Sequence, residues 1–339
     1  IINAYMDDLK MSQTLKGRKK LFMIQNVFSH NSITTGISEN FDAILFKNGF
    51  MMGELTVLSG VSGGGKTALS VMITSVLISG FNRFLKDPKH ITNPVVYISL
   101  EQPKHQIQAR VISALLALNI ENEVVSYSDI LNFKELYSKK SLSIGFNLYE
   151  LYRKKLIILD KTDFGGTPSV QELNYALEKR IAFFDKKPLV IIDRYENIDG
   201  ANNYSDDFIV REIKSFAEIN RVPVLLQAQM NKGAIVTSSK NSGKFDETKI
   251  SSNSLKGTSG LEHHASEVII IVPDGSTRDF EGVPSKFVTI IHPKSRFGSN
   301  DSIKMLFRGQ DNIFVDYKET RGRKKKEEDE INESDGNSD

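Results

Sequence analysis

The amino-acid sequence predicts an α/β protein in which helices cover both faces of a mostly parallel, twisted sheet. Short apolar runs typical of strands alternate with helical stretches from Gly53 onward, a pattern that favours parallel strands joined by crossover helices. A glycine-rich loop also stands between an apolar run and a helical pattern, as in a strand–loop–helix unit. The predicted strands are 55–59, 95–100, 156–160, 188–193, 222–228, 267–272, 286–292, 303–307 and 312–316.

The remaining segments divide the chain into one domain and two flanks. Residues 1–30 are basic, with an apolar stripe at helical spacing that needs another surface to pack on, so we expect a linker region. Residues 31–317 are predicted to form the folded domain, in which 83–94 and 104–155 are insertions or long crossovers. Residues 318–339 are basic and then acidic, a composition typical of disorder, and serve as a docking peptide or only as a solubilising tail.

Composition excludes several classes of protein. The 339 residues contain no cysteine, which excludes disulfides and Cys-ligated zinc, and the six histidines lack metal-ligand spacing. No apolar run approaches the roughly 20 residues of a membrane span and no secretory signal is visible, so we expect a cytoplasmic protein, with organelle and nucleus left open. The formal charge of +2 means that nucleic-acid binding would need a local basic patch. Because the first residue is Ile, we expect a piece of a longer protein.

Residues 60–67 read Gly-Val-Ser-Gly-Gly-Gly-Lys-Thr, a complete phosphate-binding loop. Glycines let backbone N–H groups turn toward phosphates, Lys66 reaches the β- and γ-oxygens, and the Thr67 hydroxyl holds Mg²⁺. The alternative is a glycine-rich surface turn. We therefore predict that the chain binds ATP or another nucleoside triphosphate with Mg²⁺. The candidate nucleotide contacts are Gly60, Ser62, Gly63, Gly64, Gly65, Lys66, Thr67 and Ala68.

Three further strands end in polar side chains that suit nucleotide hydrolysis. Asp193 ends the apolar run 189–193 and is the candidate Mg²⁺ ligand, unless it only caps the strand. Glu101 follows the run 95–100 and is the candidate general base, the alternative being an exposed Glu at a helix start. Gln229 ends the run 224–228 and is predicted to sense the γ-phosphate, unless it is a plain polar strand end.

Two cations follow the strand 288–292. Lys294 and Arg296 suit the charge that develops on phosphate in a transition state. Within one subunit, however, we expect the end of this strand, with its two cations, to lie far from the phosphate loop. The pair is therefore predicted to serve a neighbouring subunit as a finger in trans, which requires a ring or a filament.

The order of these motifs resembles the motor domain of DnaB-family hexameric replicative helicases, including phage primase-helicases. The phosphate loop is shared with many families, whereas the Ser99-Leu100-Glu101 strand end and the Lys-x-Arg-x-Gly segment 294–298 are more specific. The other matching segments are Thr35-Gly36, Gln106 with Arg110, 156–160, 167–170, 191–193, 229–232 and 255–262. The resemblance implies a RecA-like P-loop core and a homohexameric ring with ATP sites between subunits, which translocates on single-stranded DNA and unwinds duplex DNA.

Roles implied by the resemblance agree with those inferred from the residues themselves. Lys66 and Thr67 would bind phosphate and Mg²⁺, Glu101 would be the base, and Asp193 would hold Mg²⁺. Gln229 would be the γ-phosphate switch, and Arg296 with Lys294 the finger. Residues 1–30 would dock on the next subunit, and the N-terminal region and acidic tail would contact primase and DNA polymerase.

The resemblance also implies where DNA would bind. The central DNA loops would fall near 198–207 and 231–260, the latter rich in Ser, Asn, Gly and Lys. The family segment Asp-Leu-Arg-Glu-Ser-Gly stands here as Ser-Leu-Lys-Gly-Thr-Ser at 254–259. The candidate DNA contacts are Lys256, Gly257, Thr258 and Ser259, through one side chain and main-chain N–H groups.

One departure and two alternatives remain. Where the family often has Asp-Tyr after the magnesium strand, this chain has Asp193-Arg194-Tyr195, and no nucleotide-facing aromatic is identifiable. A recombinase related to RecA, which uses ATP as a filament switch, and a regulatory ATPase of the same fold share the core motifs. The Lys-x-Arg-x-Gly segment and the Ser/Gly/Lys-rich loop favour the helicase.

Overall fold

The computed structural model describes residues 32–121, 124–132, 140–198, 205–230, 258–296 and 301–317. Its strands, numbered in chain order, are β1 Ser32–Ile33, β2 Phe50–Met51, β3 Leu55–Gly60, β4 Val95–Ser99, β5 Leu156–Asp160, β6 Leu189–Asp193, β7 Val224–Gln229, β8 Glu267–Phe280, β9 Val283–Ser295, β10 Ser302–Arg308 and β11 Ile313–Asp316. Its α-helices are α1 Glu39–Ile44, α2 Lys66–Ser79, α3 Lys104–Asn119, α4 Tyr127–Leu131, α5 Lys140–Tyr152, α6 Val170–Ile181, α7 Asp206–Asn220 and α8 Thr258–His264. The linker 1–30, the tail 318–339 and most of both predicted DNA loops lie outside the described residues.

A nine-stranded sheet organises the domain, in the order β11-β10-β9-β8-β3-β7-β6-β4-β5. Strands β8, β3, β7, β6, β4 and β5 run parallel to their neighbours in that order, whereas β9, β10 and β11 continue the sheet antiparallel. Strands β3, β4 and β6 are buried along their whole length, as the near-continuous apolar runs predicted. The predicted α/β architecture is confirmed.

Two apolar cores cover the two faces of the sheet. One joins α2, α3 and the C-terminal strands, and the other lies under α6 and α7. Helix α2 is buried nearly all round, so its polar side chains need internal partners. Thr74 and Ser75 supply them by donating to the carbonyls four residues earlier, Ser70 O at 2.8 Å and Val71 O at 2.9 Å. None of the helices in the described part of the chain is long and apolar enough to cross a membrane.

Strands β8 and β9 extend well beyond the predicted 267–272 and 286–292. The outer half of β8 is largely exposed and mostly polar, and it pairs with the outer half of β9, in which Val283 and Ser285 are buried; an apolar pattern does not reveal such a hairpin. Contacts distant in sequence support this hairpin, because Glu281 at its tip pairs with Arg83 at 2.7 Å and with the buried Arg308 at 2.9 Å. Phe84 also packs on Phe280, with ring centroids 5.9 Å apart. The predicted insertion at 83–94 thus begins with a support for the hairpin, while 104–155 contains α3, α4 and α5.

Asp42 ties the first turn of the domain to α1. Its carboxylate accepts hydrogen bonds from Thr35 N at 2.9 Å, Thr35 Oγ1 at 2.7 Å and Gly36 N at 2.9 Å. Burial outweighs these hydrogen bonds and raises the pKa of Asp42 from 3.8 to about 6. The folded protein therefore holds this proton more tightly than the unfolded chain does.

We predict that the wild type gains stability over Asp42→Asn as pH falls. Because the folded-state pKa is the raised one, the contribution is fully present below the unfolded value and is lost as pH rises through about 6. Between pH 7 and pH 5 the wild type should gain roughly 1 kcal/mol relative to the variant, which does not titrate at this position. Urea unfolding of both proteins at each pH measures the difference, and a difference independent of pH would contradict the assignment.

Candidate active site

The carboxyl ends of four parallel neighbours, β3, β7, β6 and β4, meet along one edge of the sheet. Gly60 at the end of β3 is in register with Gln229 at the end of β7, and Ser99 of β4 is in register with Asp193 of β6. Glu101 follows two residues after Ser99. The structure therefore brings the phosphate loop, Asp193, Glu101 and Gln229 to one edge, as expected for a ligand site at strand ends of an α/β sheet.

The phosphate loop joins β3 to the N-terminus of α2. Gly65 precedes the helix with φ +105°, a backbone conformation that favours glycine, and a Cβ there would lie close to Phe314 Cζ, at 3.1 Å. Lys66 Nζ donates to Gly60 O at 2.9 Å and to Val61 O at 3.1 Å, which holds the ammonium within the loop. Burial lowers the pKa of Lys66, while the nearby carboxylate of Asp193 opposes that shift. Loop N–H groups, the helix N-terminus and this ammonium suit a polyphosphate.

Asp193 and Thr67 place two oxygen donors side by side, as a divalent-cation site would require. Thr67 Oγ1 donates to Asp193 Oδ2 at 2.8 Å, although one residue lies on α2 and the other ends β6. The buried carboxylate has its pKa raised to about 6, chiefly by desolvation. Within the described ranges no group of three or more His, Cys, Asp or Glu side chains could hold a metal ion. The donor set fits Mg²⁺, which commonly takes one or two protein oxygens together with substrate phosphates and water.

Two buried side chains that were not predicted from the sequence lie behind Asp193, Tyr97 in contact with its carboxylate and Gln227 in contact with Tyr97. The fully buried Tyr97 donates its hydroxyl to Asp193 Oδ2 at 3.1 Å. The buried Gln227 lies next to it, with Nε2 at 3.5 Å from the Tyr97 hydroxyl and at 3.0 Å from Ser70 Oγ. Polar residues inside the apolar runs 95–99 and 224–229 were the available signal, because a buried hydroxyl or amide needs a partner.

Glu101 contacts its neighbours at this end of the sheet through its side chain, and Gln229 does so through its main chain. The Glu101 side chain is 45% exposed, and its Oε2 lies 3.6 Å from Arg194 Nη1. The main-chain N–H of Gln229 donates to Glu196 Oε1 at 2.6 Å. Sequence analysis missed Arg194 as a partner of Glu101 and missed Glu196 altogether. The catalytic and sensing roles stay predictions.

Lys294 and Arg296 lie at the opposite end of the sheet from the phosphate loop. Lys294 is in register with Val268 at the start of β8, and Arg296 N donates to Ser266 O at 2.9 Å. The phosphate-loop end of β3 instead pairs with Ile271. Both cations bind the C-terminus of α8, where Lys294 Nζ donates to Glu262 O and Arg296 Nη2 donates to His263 O. The separation expected within one subunit is therefore observed.

The predicted DNA contacts fall largely outside the described residues. Lys256 and Gly257 are not among them, and Thr258 and Ser259 are the first residues of α8. Helix α8 packs closely on α7, because a Cβ at Gly260 would lie 2.6 Å from Asp207 Cα. His264 Nε2 also lies 3.1 Å from Asp207 Oδ1. The main chain at 258–259 is thus anchored to the domain through α7.

We predict that Tyr97→Phe weakens Mg²⁺-dependent nucleotide binding and leaves the fold intact. Removal of one hydrogen bond to a buried carboxylate should cost about 1–2 kcal/mol in metal affinity, or roughly five- to thirtyfold. Titration of Mg²⁺ against a fluorescent ATP analogue measures the effect. Tyr149→Phe is the matched control, because that hydroxyl hydrogen-bonds Gln108 on α3 outside the site. Equal Mg²⁺ dependence in all three proteins would remove Tyr97 from the site.

Comparison with known proteins agrees with this arrangement. A family model described as the DnaB-like helicase C terminal domain matches residues 32–316. The replicative DNA helicase DnaB of Buchnera aphidicola subsp. Schizaphis graminum is 25% identical over 317 residues, covering 91% of this chain and 60% of the relative. That of Mycoplasma genitalium is 24% identical over 309 residues, covering 86% and 59%. The chain therefore spans about three fifths of the length of the curated relatives it matches.

Solved structures confirm the RecA-like fold. One solved ATPase domain superposes with a TM-score of 0.67 at 16% identity, covering 89% of this chain and 98% of that one. A DnaB-like replicative helicase, described with its interactions with primase, has a TM-score of 0.66 at 16% identity and covers 91% and 67%. Since the family model covers most of the sequence, the chain belongs to the DnaB-like helicase C-terminal domain family.

Proposed function

We propose that this chain is the motor domain of a replicative DNA helicase, which hydrolyses ATP or another nucleoside triphosphate and translocates on single-stranded DNA as a homohexameric ring. One observation carries the proposal. The phosphate loop, Asp193 and Glu101 share one edge of the sheet, whereas Lys294 and Arg296 lie at the other end. A site that needs both halves is completed only by a neighbouring subunit, as in a closed ring.

Each residue has a role that its position supports. Lys66 and the loop N–H groups bind the β- and γ-phosphates, with Thr67 and Asp193 as the protein ligands of Mg²⁺. A bound Mg²⁺ would neutralise developing phosphate charge. Glu101 accepts the proton of the attacking water, because its half-exposed carboxylate is accessible to solvent at the same end of the sheet as the phosphate loop. Gln229 lies beside the loop at the end of β7 and reports the γ-phosphate.

Arg296, with Lys294 in support, completes the site of the adjacent subunit. In the described chain both cations bind main-chain carbonyls at the C-terminus of α8, which carries partial negative charge. The phosphate of a nucleotide bound to the neighbouring subunit is a stronger acceptor than these carbonyls, because it carries a full charge and accepts short, charge-assisted hydrogen bonds. Engagement of the neighbour therefore requires these cations to exchange the carbonyls of α8 for phosphate oxygens.

The family resemblance also indicates which molecules would bind to each part of the chain. Single-stranded DNA is expected at Lys256, Gly257 and the main chain of 258–259, because a non-specific grip needs phosphate contacts and no base reading. Residues 1–30 would dock on the next subunit and lead to primase, and the acidic tail would contact a polymerase. The bacterial relatives favour a cytoplasmic location.

We predict that Glu101→Gln retains nucleotide binding but loses ATP turnover and unwinding of a forked duplex. Loss of a general base should lower kcat by about a hundredfold or more while nucleotide affinity changes little. Phosphate release and strand-separation assays, with and without single-stranded DNA, make the measurement. Glu150→Gln, which alters an exposed Glu paired with Arg153, is the control. Normal turnover would exclude Glu101 as the base, and wild-type turnover indifferent to DNA would contradict the DNA role.

We predict that Arg296→Ala subunits inhibit the activity of rings in which they are mixed with wild-type subunits. Each variant subunit leaves its neighbour's site incomplete, so activity should fall more steeply than the wild-type fraction when variant and wild type are mixed. Arg211→Ala, which removes an exposed guanidinium from α7, should leave the mixtures fully active. ATPase and unwinding rates at a series of mixing ratios make the test. Activity in simple proportion to the wild-type fraction would argue against action in trans.

A further inference from the structure

Arg194 stands between the candidate base and the strand of the candidate sensor. It follows Asp193 directly, at a position where the family often carries an aromatic residue. Its Nη1 lies 3.6 Å from Glu101 Oε2, and its Nε lies 4.0 Å from Glu196 Oε2. One guanidinium thus faces two carboxylates that belong to different strand ends.

Glu196 extends this contact to β7. While one of its oxygens faces Arg194, the other accepts the hydrogen bond of the Gln229 main-chain N–H at 2.6 Å. The series Glu101, Arg194, Glu196 and Gln229 therefore crosses the ends of β4, β6 and β7 through side-chain and main-chain contacts of 2.6 to 4.0 Å. These are the strand ends that the proposed function assigns to the base, the metal ligand and the γ-phosphate sensor.

Burial along this series is uneven. The Arg194 side chain is 22% exposed and that of Glu196 is 15% exposed, whereas Glu101 is 45% exposed. The guanidinium and Glu196 are therefore the more enclosed members, and the half-exposed Glu101 carboxylate has the most room to reorient. An Arg fixed by its surroundings can present a planar set of donors to a carboxylate and select one orientation of it.

A purely stabilising ion pair explains the geometry less well. Arg194 Nε is buried and makes no hydrogen bond to any residue in the described part of the chain, and the contact to Glu101 is longer than a hydrogen bond. A pair with one half-exposed member and no hydrogen bond contributes little to stability. The guanidinium also lies close enough to Lys66 to lower the pKa of that ammonium, although burial is the largest cause of the shift. Arg194, which directly follows Asp193 at the end of β6, therefore lies near the phosphate loop.

We propose that Arg194 is a positioning residue that orients the Glu101 carboxylate for proton acceptance and links this orientation, through Glu196, to the strand of Gln229. The proposal rests on the proposed role of Glu101 as general base. Arg194 itself takes up no proton and forms no bond to the nucleotide. A change at the end of β7 would reach Glu101 through Glu196 and the guanidinium.

A double-mutant cycle tests the proposal. Arg194→Gln should lower kcat for ATP roughly ten- to a hundredfold, because a base displaced by about 1 Å loses much of its effect, while KM changes less than about twofold. Arg194→Lys, which retains the charge, should recover part of the loss. In a Glu101→Gln background, Arg194→Gln should change the residual rate less than about twofold, because no base remains to position. Radiolabelled phosphate release over long incubations measures these low rates.

The control and the contrary outcomes separate the two proposals. Arg153→Gln removes a guanidinium from an exposed pair with Glu150 and should leave kcat unchanged. If Arg194→Gln causes the same fold loss in both backgrounds, or raises KM and lowers the melting temperature together, positioning is overturned and Glu101 stays the base. If Glu101→Gln alone turns over normally, the base assignment fails and positioning fails with it. Should Arg194→Gln not fold, the comparison of Arg194→Lys in the two backgrounds decides.

Discussion

The site depends on the parallel register of four buried strands. Gly60 opposite Gln229, and Ser99 opposite Asp193, bring groups from distant parts of the sequence to one edge of the sheet. A shift of one residue in any of these strands would exchange the side chains that pack on the two apolar cores, so close packing on both faces of the sheet enforces the register. The apolar residues of each strand therefore determine which polar side chains meet at the carboxyl ends of the strands. The position of Asp193 at this end of the sheet follows from the buried apolar run 189–192 that precedes it.

Desolvation disfavours the ionised form of the Asp193 carboxylate, and hydrogen bonds from nearby hydroxyl groups offset part of this effect. The Asp193 carboxylate is desolvated, and its pKa is raised to about 6 although Thr67 and Tyr97 both donate to it. A divalent cation would reverse this effect, because it favours the ionised carboxylate. Tyr97 and Gln227 accordingly belong to the site although they lie inside strands. Tyr97 contacts the carboxylate directly, and Gln227 contacts the Tyr97 hydroxyl.

Sequence reasoning succeeded where the pattern was local and failed where the partner was distant. Apolar runs of five or six residues with polar ends located the strands that carry the site, and the phosphate loop located the N-terminus of α2. The outer halves of β8 and β9 escaped prediction because ion pairs of Glu281 with Arg83 and Arg308 support them, and no short window contains both partners. The same reason hid Arg194 and Glu196, whose partners are Glu101 in the segment after β4 and the main chain of Gln229. The binding of Lys294 and Arg296 to α8 was likewise invisible, since their acceptors are backbone carbonyls.

Completion of each nucleotide site by the neighbouring subunit is the feature on which the proposed motor depends. Electron microscopy of the protein with a non-hydrolysable ATP analogue, Mg²⁺ and oligo-dT would make this contact visible. We expect a closed six-membered ring in which the Arg296 guanidinium leaves His263 O and contacts, at about 3 Å, the γ-phosphate bound by Lys66 of the adjacent subunit. An open filament, or a ring in which Arg296 remains on α8 with the nucleotide bound, would contradict the proposed motor.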